Sequence, residues 1–234
     1  MSEQNPAKTK NSTPINWLTE HWLVLFLVLY GAWVWVPFLA PLFMNMGWER
    51  PANVIYWIYS FFCHQLPDRS YFFFGPRLSY TLSEIQDVWM NTTHPLVMRG
   101  FIGNPEMGWK VAWSDRMISF YGGIWVFALI LAPFRKKLKK LPVWGAAVFL
   151  LPMVIDGVSH IISEITGYQE GFRFANHWLA VLTSNQLPAA FYSGNMLGSF
   201  NWWMRMITGA MAGLGLAWFM LSATKPNPTE YNPE

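Results

Sequence analysis

Four long apolar segments decide what this chain can fold into. Each is long enough to cross the hydrocarbon core of a bilayer, about 30 Å thick, as one α-helix. They are residues 22–44, 117–134, 142–163 and 199–222. The chain is 53% hydrophobic and only 12% charged, about half the charged fraction of a typical soluble domain. The sequence therefore predicts an all-α integral membrane bundle of about four transmembrane helices.

A fifth apolar segment, residues 52–66, is too short to span a bilayer. Pro67 follows it directly, and proline ends a helix because it lacks the backbone N–H. We predict a short interfacial or half-inserted helix here. Beyond it, proline and glycine mark residues 76–113 as loop, with one short surface helix over residues 79–90.

The basic run RKKLKK, residues 135–140, sets the expected orientation. Short loops rich in lysine and arginine stay on the cytoplasmic side of a membrane. Both termini are then cytoplasmic, and the long loops 45–116 and 164–198 face outward. We expect a multi-pass protein of the plasma or inner membrane. Its parts are a single membrane domain and two polar tails: residues 22–222, 1–21 and 223–234.

Composition and spacing also indicate the partners. The net charge is only +3, and RKKLKK is the one dense basic run, so we expect no nucleic-acid binding. The lipid bilayer is the expected surrounding. Gly209 and Gly213 form a small-residue face that lets another helix approach closely. That face leaves a homo-oligomer open, and the alternative is that it reflects only the general abundance of glycine in membrane helices. A partner membrane protein would instead meet the outer loops.

Charged residues lie near the predicted outer ends of the spans. Asp156 and Arg205 both lie about 10 Å inside that boundary, given a rise of 1.5 Å per residue. A charge in hydrocarbon costs roughly 2.5–3.5 kcal/mol, so we predict that these two residues form a bridge. Asp115 and Arg116 open the second span on the same side. The bridge would either build a site or simply hold the helices together.

A stripe on the third span suggests metal chemistry. Asp156, His160 and Glu164 are spaced four residues apart and therefore lie on one helix face. Carboxylate and imidazole groups bind zinc and other divalent metals, and His64 is the expected ligand from outside the helix. The alternative is that this stripe is only the hydrated face of a helix end. A divalent metal such as zinc is thus a candidate cofactor, but the sequence does not establish that any cofactor is bound.

The segment FFCHQLPDRSYFFFG, residues 61–75, carries polar groups between aromatic walls. Cys63, His64, Gln65 and Arg69 lie just beyond the short helix, on the predicted outer side. We predict that they form the rim of a polar site whose floor is Asp156 with Arg205. Since Cys63 is the only cysteine, the chain forms no internal disulfide.

Four motifs in order resemble domain-of-unknown-function family 2085, a family of small predicted integral membrane proteins. The resemblance covers roughly residues 55–220. The motifs here are Cys63-His64-Gln65 followed by Arg69-Ser70, then SDRMISFYGG opening a span, then Asp156-Gly157, and finally Arg205 followed by Thr208-Gly209.

The resemblance implies which positions matter, and it brings no established activity. It selects the same positions as the topology does: His64, Arg69, Arg116, Tyr121, Asp156 and Arg205. The chain departs from the family pattern at Ser114, where the pattern carries a second cysteine. A thiol pair or a two-cysteine metal site is therefore not expected.

Three functions are compatible with the sequence. The first is a structural or accessory membrane protein with an outer polar site for a ligand or partner, and its arginines would hold phosphate or carboxylate groups. The second is an outer-leaflet metal-dependent hydrolase with Glu164 as general base. The third is a pathway for protons or small solutes. No HExxH, nucleophile elbow or phosphate loop is present, so the sequence favours the non-enzymatic reading.

Overall fold

The structure is a computed structural model that describes residues 14–224. The ends of both predicted tails, residues 1–13 and 225–234, lie outside the described residues. In chain order the helices are α1 (Pro14–Trp35), α2 (Leu39–Asn45), α3 (Glu49–Tyr59), α4 (Leu82–Val88), α5 (Pro95–Met98), α6 (Asp115–Leu131), α7 (Val143–Glu164), α8 (Phe172–Ala175), α9 (His177–Leu182), α10 (Ala189–Tyr192) and α11 (Phe200–Ala223). The strands are β1 (Ser70–Phe73), β2 (Gly103–Asn104) and β3 (Gly108–Ser114).

Within residues 14–224, four helical stretches are long and apolar enough to cross a membrane, which confirms the predicted helical membrane bundle. They are Trp17–Asn45, which joins α1 to α2, then Asp115–Phe134, Val143–Glu164 and Phe200–Ala223. α1 begins at Pro14, inside the segment that the sequence assigns to a polar tail. Proline is favoured in the first turn of a helix, where no N–H is needed, and the apolar segment after residue 22 continues that helix.

α11 lies between α6 and α7 and packs on both, while α1 packs on the far side of α6. The close approach of α6 depends on the small-residue face of α11. A Cβ on Gly213 would lie 2.8 Å from the backbone N of Ile124, and one on Gly209 would lie 2.9 Å from Ser119. The helix that approaches this small-residue face closely is therefore α6 of the same chain.

The segments before α6 and after α7 pack together at one end of the spans. We call residues 46–114 and 165–199 the cap. The cap contains a three-stranded antiparallel sheet in the order β1-β3-β2, which the sequence did not predict. Val111, Ala112 and Trp113 of β3 are fully buried. A strand buried on both faces lacks the alternation of polar and apolar residues by which strands are recognised.

The short helix predicted over residues 52–66 ends at Tyr59. At 1.5 Å per residue α3 is about 16 Å long, which is too short to span a bilayer. One face of α3 is buried against α2 and β3 through Ala52, Ile55 and Tyr56, while Trp57 is exposed. The predicted surface helix over residues 79–90 is present as α4, and a capping box starts it.

The glycine face of α11 can be tested by substitution. We expect Gly213→Ala to lower stability by about 1–3 kcal/mol, because the added methyl group would meet the backbone of α6. Gly122→Ala is the matched control, since it adds a methyl group to a spanning helix where nothing lies within 4 Å. Thermal unfolding in detergent measures both variants. Equal melting temperatures for the two would contradict the close packing of α6 on α11.

Candidate functional site

A cavity of about 450 Å³ opens between α6 and α7 at the cap end of the bundle. We call it the polar cavity. Its walls come from the turn after α3, from α6, α7 and α11, and from the start of α5. The lining residues are Phe62, Cys63, His64, Gln65, Leu66, Arg69, Pro95, Ser114, Asp115, Arg116, Met117, Gly157, His160, Ile161, Glu164 and Arg205.

Most of the residues singled out in the sequence meet in this cavity. Those that line it are Cys63, His64, Gln65, Arg69, Asp115, Arg116, His160, Glu164 and Arg205. Asp156 does not line it, but its carboxylate accepts a hydrogen bond from Arg116, which does. Tyr121 lies elsewhere, in an aromatic cluster with Trp33 and Trp113.

The most buried ion pair of the site joins α6 to α11. Arg205 donates from Nε to both carboxylate oxygens of Asp115, at 2.9 Å each, and from Nη2 to Oδ2 at 2.6 Å. Its remaining donors reach the side chain and backbone carbonyls of Asn195. The two charged side chains are only 1% and 2% exposed. A planar guanidinium suits this geometry because it presents several donors in one rigid fork.

Asp156 does not pair with Arg205, contrary to the sequence prediction. Its Oδ2 accepts from Arg116 at 2.6 Å, and its Oδ1 accepts from Arg173 of α8 at 2.5 Å. Equal depth in the membrane does not determine which face of a helix a residue occupies. Arg205 precedes Gly209 by one helical turn and so shares the face that packs on α6. It therefore meets Asp115 and not α7.

The Asp156-Gly157 motif has a steric explanation. A Cβ on Gly157 would lie 3.0 Å from Nη1 of Arg116. The carboxylate of Asp156 therefore holds one end of this guanidinium, and the missing side chain at residue 157 leaves room for the other. A larger residue at 157 would displace Arg116 from the wall of the cavity.

The three predicted metal ligands on α7, Asp156, His160 and Glu164, are in contact with arginines. His160 Nε2 lies 3.3 Å from Arg173 Nη2 and 4.0 Å from Asp156 Oδ1, and Glu164 forms an ion pair with Arg69. His64 lies on the exposed rim of the cavity. Among residues 14–224 no group of three or more His, Cys, Asp or Glu side chains is placed to hold a metal. Carboxylates neutralised by guanidinium groups are poor partners for a cation.

Asp68 and Arg69 connect the two segments of the cap, residues 46–114 and 165–199. Asp68 accepts hydrogen bonds from Tyr168, Gln169 and Asn195 at 2.7 to 2.8 Å. Burial by itself lowers the pKa of Arg69, but Tyr168, Asp68 and Glu164 raise it above its ordinary value. Arg69 thus stays charged in the wall of the cavity.

The Cys63-His64-Gln65 turn is held by buried hydrogen bonds. Cys63 Sγ donates to Ser114 Oγ at 3.3 Å and accepts from the N–H of Ser114. The position where the family pattern has its second cysteine is therefore in contact with Cys63. Gln65 adopts a left-handed conformation, with φ of 53°, and donates its side-chain amide to the carbonyl of Tyr56.

Lys110 of β3 holds this turn through a hydrogen bond to its backbone. Its Nζ donates to the carbonyls of Gln65 and Arg99 at 2.8 and 2.9 Å, and the side chain is fully buried. Burial lowers its pKa to about 7, because an ammonium group loses its hydration there. The turn at the rim of the cavity therefore rests on a lysine whose charge changes near neutral pH.

Sequence reasoning missed Arg173 and Asn195. Arg173 lies in the segment GFRFANHW, where a single charge between aromatic residues was the available signal. Its backbone carbonyl accepts from Asn201 at 2.6 Å, which holds α8 against α11. Asn195 lies in a loop without apolar periodicity, so no sequence signal singled it out.

Comparison with known proteins places the chain among membrane proteins without an assigned activity. A family profile described as "Predicted membrane protein (DUF2085)" matches residues 94–219, more than half of the chain. An uncharacterized protein of Methanocaldococcus jannaschii is 28% identical over 169 residues, which cover 69% of this chain and 83% of that protein. No solved structure matches significantly.

The pKa of Lys110 predicts a pH dependence of stability. Between pH 7 and 10.5 the unfolded chain binds a proton at Lys110 that the folded chain does not, so stability rises with pH across this window. Against Lys110→Met, wild-type protein should gain up to about 1.4 kcal/mol per pH unit. Melting temperatures of both proteins in detergent at pH 7, 8 and 9 measure the difference. Parallel pH profiles would mean that Lys110 titrates with its ordinary pKa.

The Asp115–Arg205 pair predicts a strong preference for arginine at 205. Arg205→Lys keeps the charge but cannot make the forked contacts to Asp115 and Asn195, so we expect a loss of about 3 kcal/mol. Arg77→Lys is the matched control, because Arg77 forms an exposed pair with Glu84 worth about 0–1 kcal/mol. Thermal unfolding compares the two. A similarly small loss of stability in both variants would contradict the buried, forked contacts of Arg205 with Asp115 and Asn195.

Proposed function

Because the chain belongs to the DUF2085 family of predicted membrane proteins, we propose that it is an accessory membrane protein whose polar cavity binds an anionic group. The group is a phosphate or a carboxylate. The cavity volume of about 450 Å³ falls within the range of about 300–1,000 Å³ that is usual for ligand sites.

The main support for the proposal is that the positive charge of Arg116 is incompletely balanced. Of the three arginines that line the polar cavity, Arg205 donates from all three of its nitrogens to Asp115 and Asn195, and the charge of Arg69 is balanced by Glu164. Arg116 has only Asp156, which it shares with Arg173. One carboxylate between two guanidinium groups leaves positive charge unbalanced, and Nε of Arg116 is buried without a hydrogen-bond partner. An anion in the cavity would supply both the charge and the acceptor.

The walls of the cavity suit a ligand with polar and apolar parts. Phe62, Met117 and Ile161 line it alongside the charged groups, and Phe62 and Ile161 are exposed. The exposed His64 at the rim offers an imidazole that donates or accepts a hydrogen bond. The basic run 135–140 lies at the opposite end of the spans, and by the positive-inside rule this favours a cavity at the outer face.

The other two functions have less support. A metal-dependent hydrolase with Glu164 as general base would need that carboxylate to be free, but Arg69 is paired with it. A pathway across the membrane would need polar groups along the whole bundle, whereas the polar cavity lies at the cap end of α6, α7 and α11. We therefore place the binding role first.

Anion binding is testable on detergent-purified protein. We expect pyrophosphate and inorganic phosphate to raise the melting temperature, because a ligand that binds only the folded state stabilises it. In Arg116→Gln the affinity for pyrophosphate should fall by about tenfold or more. That variant leaves Asp156 paired with Arg173, so the fold is expected to persist.

Arg77→Gln is the control, since it removes the same charge from an exposed site outside the cavity. It should respond to pyrophosphate like the wild type. The proposal fails if no anion stabilises the wild type, or if Arg116→Gln and the wild type respond equally.

A further inference from the structure

A second cavity lies on the other side of α7 and is distinct from the polar cavity. It is a groove of about 630 Å³ between α7 and α11. One wall comes from one face of α7, and its residues are Val148, Leu151, Pro152, Ile155, Asp156 and Ser159. The other wall comes from Met204, Thr208 and Met211 of α11. We call it the α7–α11 groove.

The groove has the length of one leaflet. From Val148 to Ser159 the helix rises about 17 Å, close to half of the roughly 30 Å hydrocarbon thickness. On α7 it starts at Val148, five residues after the helix begins, and on α11 it starts at Met211, near the middle of that helix. It ends at the cap, where Phe172 and Trp178 line it. Aromatic residues at that level are typical of the membrane interface. These dimensions suit one acyl chain that lies along the protein.

Two charged side chains, Asp156 and Arg173, line the cap end of the groove and form an ion pair. Arg173 lines both this end and the region around His160, and it shares Asp156 with Arg116. Its Nε is buried without a hydrogen-bond partner. The groove therefore runs from an apolar end in the bilayer core to an incompletely neutralised guanidinium at the interface. This polarity matches an anionic lipid, with its chain in the apolar part and its phosphate near Arg173.

We propose that the α7–α11 groove binds one anionic phospholipid, with an acyl chain along Leu151 and Ile155 and the headgroup phosphate at Arg173. This site goes beyond the anion site of the polar cavity, because it uses the opposite side of α7 and a different arginine. The two sites share Asp156, which both arginines contact. Binding of either anion would therefore draw on the same unbalanced charge.

Native mass spectrometry of the detergent-purified protein tests the groove. Phosphatidylglycerol and phosphatidylcholine with identical acyl chains are titrated separately. We expect one phosphatidylglycerol to bind per chain, with an affinity at least about tenfold above that of phosphatidylcholine. Leu151→Trp fills the groove and should reduce phosphatidylglycerol binding by about tenfold. Val154→Trp adds the same ring elsewhere on α7 and should leave binding unchanged.

The control is well matched, because Leu151 and Val154 are 53% and 52% exposed and Val154 is not part of the groove wall. Equal binding of the two lipids, or equal effects of the two tryptophans, would show unspecific lipid association and overturn the proposal. A dimer that Leu151→Trp dissociates would show instead that a second copy fills the groove.

The two sites are separable in the same preparations. Leu151→Trp should keep the melting temperature of the wild type and its stabilisation by pyrophosphate, because Arg116, Arg173 and Asp156 stay in place. Arg116→Gln leaves Asp156 to Arg173 alone, so it should lower the preference for phosphatidylglycerol as well. Loss of phosphatidylglycerol selectivity with intact pyrophosphate binding would refute the groove alone. The reverse result would refute the polar cavity alone.

Discussion

Arg205 and Asp115 lie inside the bundle at a level where neither charge is stable without the other. An isolated charge in the membrane interior costs several kcal/mol, so each must be matched by an opposite charge and by further hydrogen bonds. Arg205 meets this requirement with Asp115 of α6 and with Asn195 of the cap. Since Asp115 directly follows β3, the same pair connects the sheet, two spans and the loop before α11.

The rest of the polar network follows from this arrangement. With Asp115 committed to Arg205, Arg116 projects toward α7 and meets Asp156. Asp156 then receives Arg173 from the cap on its other side. The result is one carboxylate between two guanidinium groups, with a cavity on each side of α7. Both proposed binding sites depend on that unequal distribution of charge.

The sequence predicted the spans well because a transmembrane helix is a local property. About twenty apolar residues in a row are sufficient evidence, whatever the rest of the chain does. It also selected most of the residues that line the polar cavity, since charged groups near a span must converge where they can be paired. It did not predict the sheet, because Val111, Ala112 and Trp113 are buried on both faces of β3 and show no alternation.

The sequence did not determine which charged residues form ion pairs with each other. Depth along a helix can be counted, but Asp156 and Arg205 lie at similar depth and still face different neighbours. The glycines of α11 bring α6 close and so direct Arg205 toward Asp115. The same limit applies to the predicted metal ligands: Asp156, His160 and Glu164 share one helix face, as their spacing requires, but the spacing does not show that Arg116, Arg173 and Arg69 reach this face from other elements.

The sequence by itself thus determined that this chain is a helical membrane protein whose polar residues gather at one end. These properties depend on hydrophobicity and on distances along the chain, which are local. The tertiary structure alone decided which charges pair, that the cap contains a sheet, and that cavities lie on both sides of α7. Those features depend on contacts between residues far apart in sequence, such as Asp115 with Arg205 and Asp68 with Tyr168. Such contacts exist only once the helices have packed.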